Sequence, residues 1–308
     1  MIGAGLSGAG AAPASEEQEF QFIGNPSPIV TPVPAAAESA EKEPVAASPA
    51  IAAKRLLVLH YHTFKNAGSS FDETLLQSFG PQWGEQEFDT GGGRSNAQAV
   101  EAYLRDNPQL KALSSHTALL PLPRIDGVHI FPVFFVRHPI LRLRSAYLFE
   151  RAQGADTFGS RLASGTDFRG YIEGLLDVPS NRQARDFHAY RLAFGNEEGR
   201  TEAERAFRTL RSLPFVGLVE AYDASLRRLD GLLSPYTDDF RPAFVRRNVT
   251  APRQDLGIAE QLEEIRAELG DDLYIRLEAN NLTDLRIFEM IAGFYALPSI
   301  AGGTWMKR

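Results

Sequence analysis

The chain has 308 residues, 44% hydrophobic and 23% charged, with no cysteine and a formal net charge of −7. That is enough apolar material for one sizeable core, so a single domain with a tail is the simplest partition. The lack of cysteine excludes disulfides, thiolate metal sites and cysteine nucleophiles; the acidic balance excludes a global basic field for nucleic acid, so a polyanionic ligand needs a local cluster of Lys and Arg.

No apolar run is long enough to span a bilayer, and the glycine-rich residues 1–12 lack the basic start of a signal peptide. A cytoplasmic location is therefore expected. Residues 1–54 read as a disordered leader. Runs such as Thr31-Pro32-Val33-Pro34-Ala35 offer too little apolar surface to offset the entropy of ordering, and six Glu against two Lys place −4 of the charge there. The domain is expected over 55–300, with 301–308 as a tail.

Leu56-Leu57-Val58-Leu59 has the continuous apolar character of a buried parallel strand. A small-residue loop follows, and then Phe71, Leu75, Leu76 and Phe79 recur at helical spacing until Gly80-Pro81 stops the helix. Residues 91–93 mark a loop and 96–105 a helix. Residues 130–136 predict a second buried strand, and Arg137-His138-Pro139 a turn. Residues 141–151 predict a helix whose start tolerates Pro139. Residues 213–219 predict a third strand, 221–233 a helix, 274–277 a short strand and 284–295 the last helix. Strands alternating with helices predict an α/β fold with a mostly parallel sheet.

Two segments carry candidate chemistry. The first is His62-Thr63-Phe64-Lys65-Asn66-Ala67-Gly68-Ser69-Ser70, between a strand and a helix. Small residues let backbone N–H groups converge on an anion, the helix N-terminus adds partial positive charge, and Lys65 adds a full one. The Lys precedes the glycine, so this is not the Walker order of an ATP-binding loop. The second is Arg137-His138-Pro139-Ile140-Leu141-Arg142-Leu143-Arg144-Ser145-Ala146-Tyr147. Arg137 ends a strand, where α/β sheets bind ligands, and Ser145 lies about two turns into the next helix. Two anion sites on one sheet edge point to a ligand with phosphate at both ends.

At these residues the chain resembles the carbohydrate sulfotransferases that use 3′-phosphoadenosine 5′-phosphosulfate (PAPS), in particular the group of heparan sulfate 2-O-sulfotransferase and its bacterial relatives. Weaker matches follow in order at Asn181-Arg182-Gln183-Ala184-Arg185, at Val216-Gly217-Leu218-Val219-Glu220 with Ser225-Leu226, and at Asp272-Leu273-Tyr274. Phe64 stands where the family has Pro, and His138 where it has Asp. The resemblance implies a P-loop-like three-layer fold and sulfuryl transfer from PAPS to an acceptor hydroxyl, with a glycan as the implied acceptor and no metal. It implies that Lys65, Ala67, Gly68, Ser69 and Ser70 hold the 5′-phosphosulfate, with Lys65 neutralising charge on the departing phosphate. Arg137 and Ser145 would hold the 3′-phosphate. His116, in Ser114-Ser115-His116-Thr117, is the candidate base, with His62 second. Arg142, Asn181, Arg185, Arg246 and Asn248 are candidate donor or acceptor contacts. The competing readings are a P-loop-type small-molecule kinase and a catalytically inactive glycan-binding relative.

Overall fold

The computed structural model describes residues 54–88, 92–244 and 256–297. Residues 1–53, the tail 301–308 and the stretch with Arg246 and Asn248 lie outside the described residues. Five strands pair in the order β2-β3-β1-β4-β5, all parallel: β1 (Arg55–Tyr61), β2 (Trp83–Glu85), β3 (Ala112–Ser115), β4 (Val128–Val136) and β5 (Gly217–Leu218). The helices are α1 (Gly68–Phe79), α2 (Gly93–Asp106), α3 (Pro139–Gln153), α4 (Phe158–Gly165), α5 (Phe168–Asp177), α6 (Phe187–Ala193), α7 (Glu202–Ser212), α8 (Tyr222–Leu233), α9 (Ile258–Leu269), α10 (Asp271–Ala279) and α11 (Leu282–Phe294).

Because side chains alternate along a strand, both faces of the sheet carry apolar rows. Leu57, Leu59 and Tyr61 of β1, with Ile130, Phe134 and Val136 of β4, pack under α2, α6, α7 and α11. Val58, Phe131, Val133 and Phe135 pack against α1 and α8 on the opposite face. The result is a three-layer α/β arrangement. A separate core joins α3, α4, α5, α9 and α10 around Leu143, Phe168, Tyr171 and Leu277. Pro132 sits mid-strand in β4, where a proline usually breaks pairing. β5 meets β4 only at Phe135 and Val136, so among the described residues no strand flanks Pro132 on that side.

Two expectations are corrected. Residues 274–277 are not a strand but part of α10, which buries Leu273, Tyr274 and Leu277 at helical spacing. A four-residue apolar run cannot tell these states apart. The strand expected over 213–219 shrinks to Gly217–Leu218, because Leu213 caps α7 and Pro214 has no N–H to donate.

The chain reverses at the centre of the sheet: β1 has β3 on one side and β4 on the other, the switch point at which open α/β sheets form their ligand crevice. A buried carboxylate braces that end of the molecule. Asp284 accepts the backbone N–H of His188 and of Ala189, both at 2.8 Å, and lies 2.9 Å from His188 Nδ1. Burial alone would raise its pKa; the contacts with His188 outweigh this and hold it low. Asp284→Ala leaves those donors unanswered and is expected to lower the unfolding free energy by about 3–5 kcal/mol, with Asp284→Asn losing less, as read by urea denaturation.

Candidate active site

The loop between β1 and α1 is built on two left-handed non-glycine residues, Lys65 at φ 62° and Ala67 at φ 61°. Such conformations cost about 1 kcal/mol or more each and persist only where the surroundings fix them. Asn66, between them, does the fixing. Its Nδ2 donates to the Phe64 carbonyl at 3.1 Å, and its Oδ1 lies 3.0 Å from His188 Nε2, the far side of the ring braced by Asp284. Thr63 Oγ1 donates to the Phe135 carbonyl at 3.3 Å, tying the loop to β4. α1 then begins at Gly68 without a side-chain cap, Ser69 is exposed and Ser70 buried.

Lys65 and Arg137 are brought together. Arg137 Nη1 donates to the Lys65 carbonyl at 3.4 Å, and its Nε lies 3.9 Å from Glu220 Oε1. Burial first, and then Arg137, lower the Lys65 ammonium to about 8, with Glu150 opposing them. Lys65 Nζ rests 4.2 Å above the ring of Phe149, which packs edge-on against Phe64. Ser145 precedes Phe149 by one turn of α3 and so lies on the face turned to this loop; it is only 8% exposed.

The departures from the motifs the chain resembles have visible counterparts. Phe64 finds its packing on Phe149. His138 is buried edge-on against Phe288, and its ring is pushed down to about 3 by burial first, then by Arg137 and His188, so it is neutral. The carboxylate near Arg137 comes instead from Glu220, which also accepts the His138 N–H at 3.0 Å.

A second cluster lies beyond Gly68. His62 is stacked between His60, at a ring separation of 5.2 Å, and His116, at 3.8 Å. Asp72 of α1 faces His60 Nδ1 at 2.9 Å and His62 Nδ1 at 2.8 Å, and accepts the Ser114 hydroxyl at 2.6 Å. Burial works to raise the Asp72 carboxyl, but the His60 charge and the bonds to both imidazoles hold it far below the usual carboxylate range. Burial is also the main force lowering the His62 imidazole. Among the described residues, His60, His62 and Asp72 are the one trio of potential metal-binding side chains, within 4.8 Å of one another. Asp72 bonds to His60 Nδ1 and faces His62 Nδ1, which draws the three together through the carboxylate.

Of the residues expected from sequence, Lys65, Ala67, Gly68, Ser69, Ser70, Arg137, Ser145, His62 and His116 lie on the loops and helix starts at the C-terminal ends of β1, β3 and β4. Three others are occupied elsewhere. Arg142 is 0% exposed, bonded to the Gln183 carbonyl and 4.1 Å over Phe187. Asn181 turns its Oδ1 to the N–H of Gln183 at 2.9 Å. Arg185 is taken up by the carbonyls of Leu175, Leu176, Val178 and Asn181, capping the end of α5. These three serve the fold. Glu87, Asp72, Phe149, Glu220 and His188 were not expected. Only Glu220 carried a signal, as the last residue of a weak motif match.

No protein-family model matches the chain. A protein of Archaeoglobus fulgidus described as an uncharacterized protein is 36% identical over 249 residues, covering 78% of this chain and 98% of that protein. The chain belongs to the family of that archaeal protein. Among solved structures, a sulfotransferase from Alicyclobacillus acidocaldarius is matched over 76% of this chain and 98% of that one, at 16% identity and a TM-score of 0.35. No helix among the described residues is long and apolar enough to cross a membrane.

Gly68 joins the two clusters. A Cβ there would fall 2.0 Å from the His62 ring. Gly68→Ala is expected to push His62 off its stack with His116, lowering stability by about 1–3 kcal/mol through overpacking and perturbing both imidazoles together. Thermal unfolding and histidine NMR shifts read the two effects.

Proposed function

We propose that this chain is a sulfotransferase moving a sulfuryl group from PAPS to an acceptor hydroxyl. The observation that carries the reading is the pairing of Lys65 with Arg137 in one crevice, beside the uncapped N-terminus of α1. Burial is the main force lowering the Lys65 ammonium and repulsion by Arg137 adds to it, while the nearest carboxylate to Arg137 is 3.9 Å away. An anion entering between them relieves that repulsion, so a donor carrying phosphate at both ends fits the charge pattern.

On this reading Lys65, with the backbone and hydroxyls of Ala67, Gly68, Ser69 and Ser70, holds the 5′-phosphosulfate. Arg137 and Ser145 take the 3′-phosphate. The acceptor oxygen bonds to sulfur as the bond from sulfur to the phosphate oxygen breaks. Charge then grows on that oxygen, where Lys65 stabilises it. The acceptor proton goes to His116, at the mouth of β3 and stacked on His62. A glycan acceptor is supported by the motif resemblance alone.

The test is radiolabelled sulfate transfer from PAPS to a panel of oligosaccharides. Lys65→Ala is expected to reduce turnover by about 10²–10³-fold while the protein stays folded. Arg137→Ala is expected to weaken binding of adenosine 3′,5′-bisphosphate by about 1.5–3 kcal/mol. Tighter binding of ATP than of that bisphosphate would turn the reading towards a kinase. Retained activity in Lys65→Ala would end it.

The Lys65 ammonium gives a pH signature. Only its charged form attracts the 5′-phosphate, so affinity for adenosine 3′,5′-bisphosphate is full below about 8 and falls as pH rises through that value. Titration calorimetry between pH 7 and 9.5 is expected to show the fall in the wild type and not in Lys65→Ala, approaching about tenfold per unit at the alkaline end.

A further inference from the structure

Glu87 lies just beyond β2, and its carboxylate is turned to the loop that follows β3. Oε1 faces His116 Nδ1 at 2.8 Å and accepts the His116 N–H at 3.1 Å. Oε2 accepts the Thr117 N–H at 2.8 Å, the Thr117 hydroxyl at 2.6 Å and the Ser115 hydroxyl at 3.2 Å. Burial works to raise this carboxyl; the bonds from His116 and Thr117 outweigh it and hold Glu87 down at about 2. An ionised carboxylate only accepts, so Nδ1 carries a proton, and in the neutral ring Nε2 keeps its lone pair. The ring plane is fixed from a second side by His62, stacked at 3.8 Å, and the loop from a third by Arg191 of α6, whose Nη2 donates to the His116 carbonyl at 3.2 Å. The His116 side chain is still 46% exposed, so its open nitrogen can be reached by an acceptor.

We propose that Glu87 is the positioning residue of the transfer step, fixing the tautomer and plane of the His116 ring so that Nε2 faces the incoming hydroxyl. This rests on the sulfuryl-transfer reading above. When the acceptor oxygen bonds to sulfur, the electron pair of the breaking bond stays on the donor phosphate and the hydroxyl proton moves to Nε2. The imidazolium so formed faces the Glu87 carboxylate, which favours the charged ring. The charged and titratable groups around the ring are Glu87 after β2, His62 after β1 and Arg191 on α6.

A double-mutant cycle on the full-length protein tests this, read by radiolabelled sulfate transfer to the best acceptor of the oligosaccharide panel. Glu87→Gln keeps the shape of the side chain and removes its charge. It is expected to lower kcat by about 10²-fold, leave the donor KM within about twofold and shift the acid limb of the rate profile to lower pH. In a His116→Ala background the same change is expected to cost nothing more, because the two residues act as one unit. An equal loss in both backgrounds marks a merely structural carboxylate and overturns the proposal, as does unchanged kcat in Glu87→Gln. Long-range proton–nitrogen NMR on histidine-labelled protein supplies a readout independent of turnover. The Nδ1–H tautomer is expected for His116 in the wild type, moving towards Nε2–H in Glu87→Ala; an Nε2–H tautomer in the wild type overturns the proposal. A wild type that moves no sulfate removes the reaction, and the positioning role with it, while the tautomer still reports whether Glu87 orients the ring.

Discussion

Keeping an ammonium and a guanidinium in one crevice is the constraint on which the rest of this structure depends. Lys65 and Arg137 repel each other, and burial penalises both charges. The fold offsets this with carboxylates held at a distance rather than in contact. Glu150, on α3, is buried and bonded to Tyr171 and Gln183, and it acts on Lys65 through space. Glu220 stands 3.9 Å from Arg137. A close salt bridge would neutralise either cation outright. The looser arrangement keeps both folded in and electrostatically hungry.

The loop that carries Lys65 needs its own support, because its backbone is strained at two residues without glycine's freedom. That support runs inward from Asn66 to His188 and from His188 to Asp284. Asp186 extends it: its Oδ1 accepts the N–H groups of Thr283 and Asp284 at 2.9 and 3.0 Å, capping the start of α11. The strain at the surface is thus balanced by buried bonds contributed by α6 and α11, far along the chain. A buried polar chain of this kind is stabilising only when each member is answered, so its parts have to be kept together.

The central sheet was legible because β1 and β4 are continuous apolar runs followed by loops and helices, the helix after β1 with clear periodicity. β2 and β3 were not, since three or four residues such as Ala112-Leu113-Ser114-Ser115 carry no period. Local sequence likewise pointed to Lys65 and Arg137, whose spacing to strand ends is short-range information. It could not tell that Arg142 faces inward while Ser145, three residues on, shares a face with Phe149; α3 buries Arg142, Ser145 and Glu150 along with its apolar residues, so its polar positions do not mark a solvent face. Nor could it find Glu87 or Asp72. Each is an acidic residue in an undistinguished stretch, made significant by a partner from another strand or loop: His116 for Glu87, and His60 and His62 for Asp72.

The two positions where the chain departs from the motifs it resembles show how neighbouring elements can supply packing and charge that the local sequence does not. Proline before the lysine would stiffen the loop covalently; here Phe64 is held by the ring of Phe149, the same ring that lies under the Lys65 ammonium. Packing replaces a fixed φ, and one side chain of α3 serves both the loop and its charge. An aspartate after the arginine would place a carboxylate by sequence adjacency. His138 cannot, being buried and neutral, and Glu220 supplies the group from the end of β5 instead. Both substitutes come from neighbouring elements of the sheet edge. What the crevice therefore requires is a charge at a place, and the parallel order β1-β4-β5 gives more than one strand end from which to deliver it.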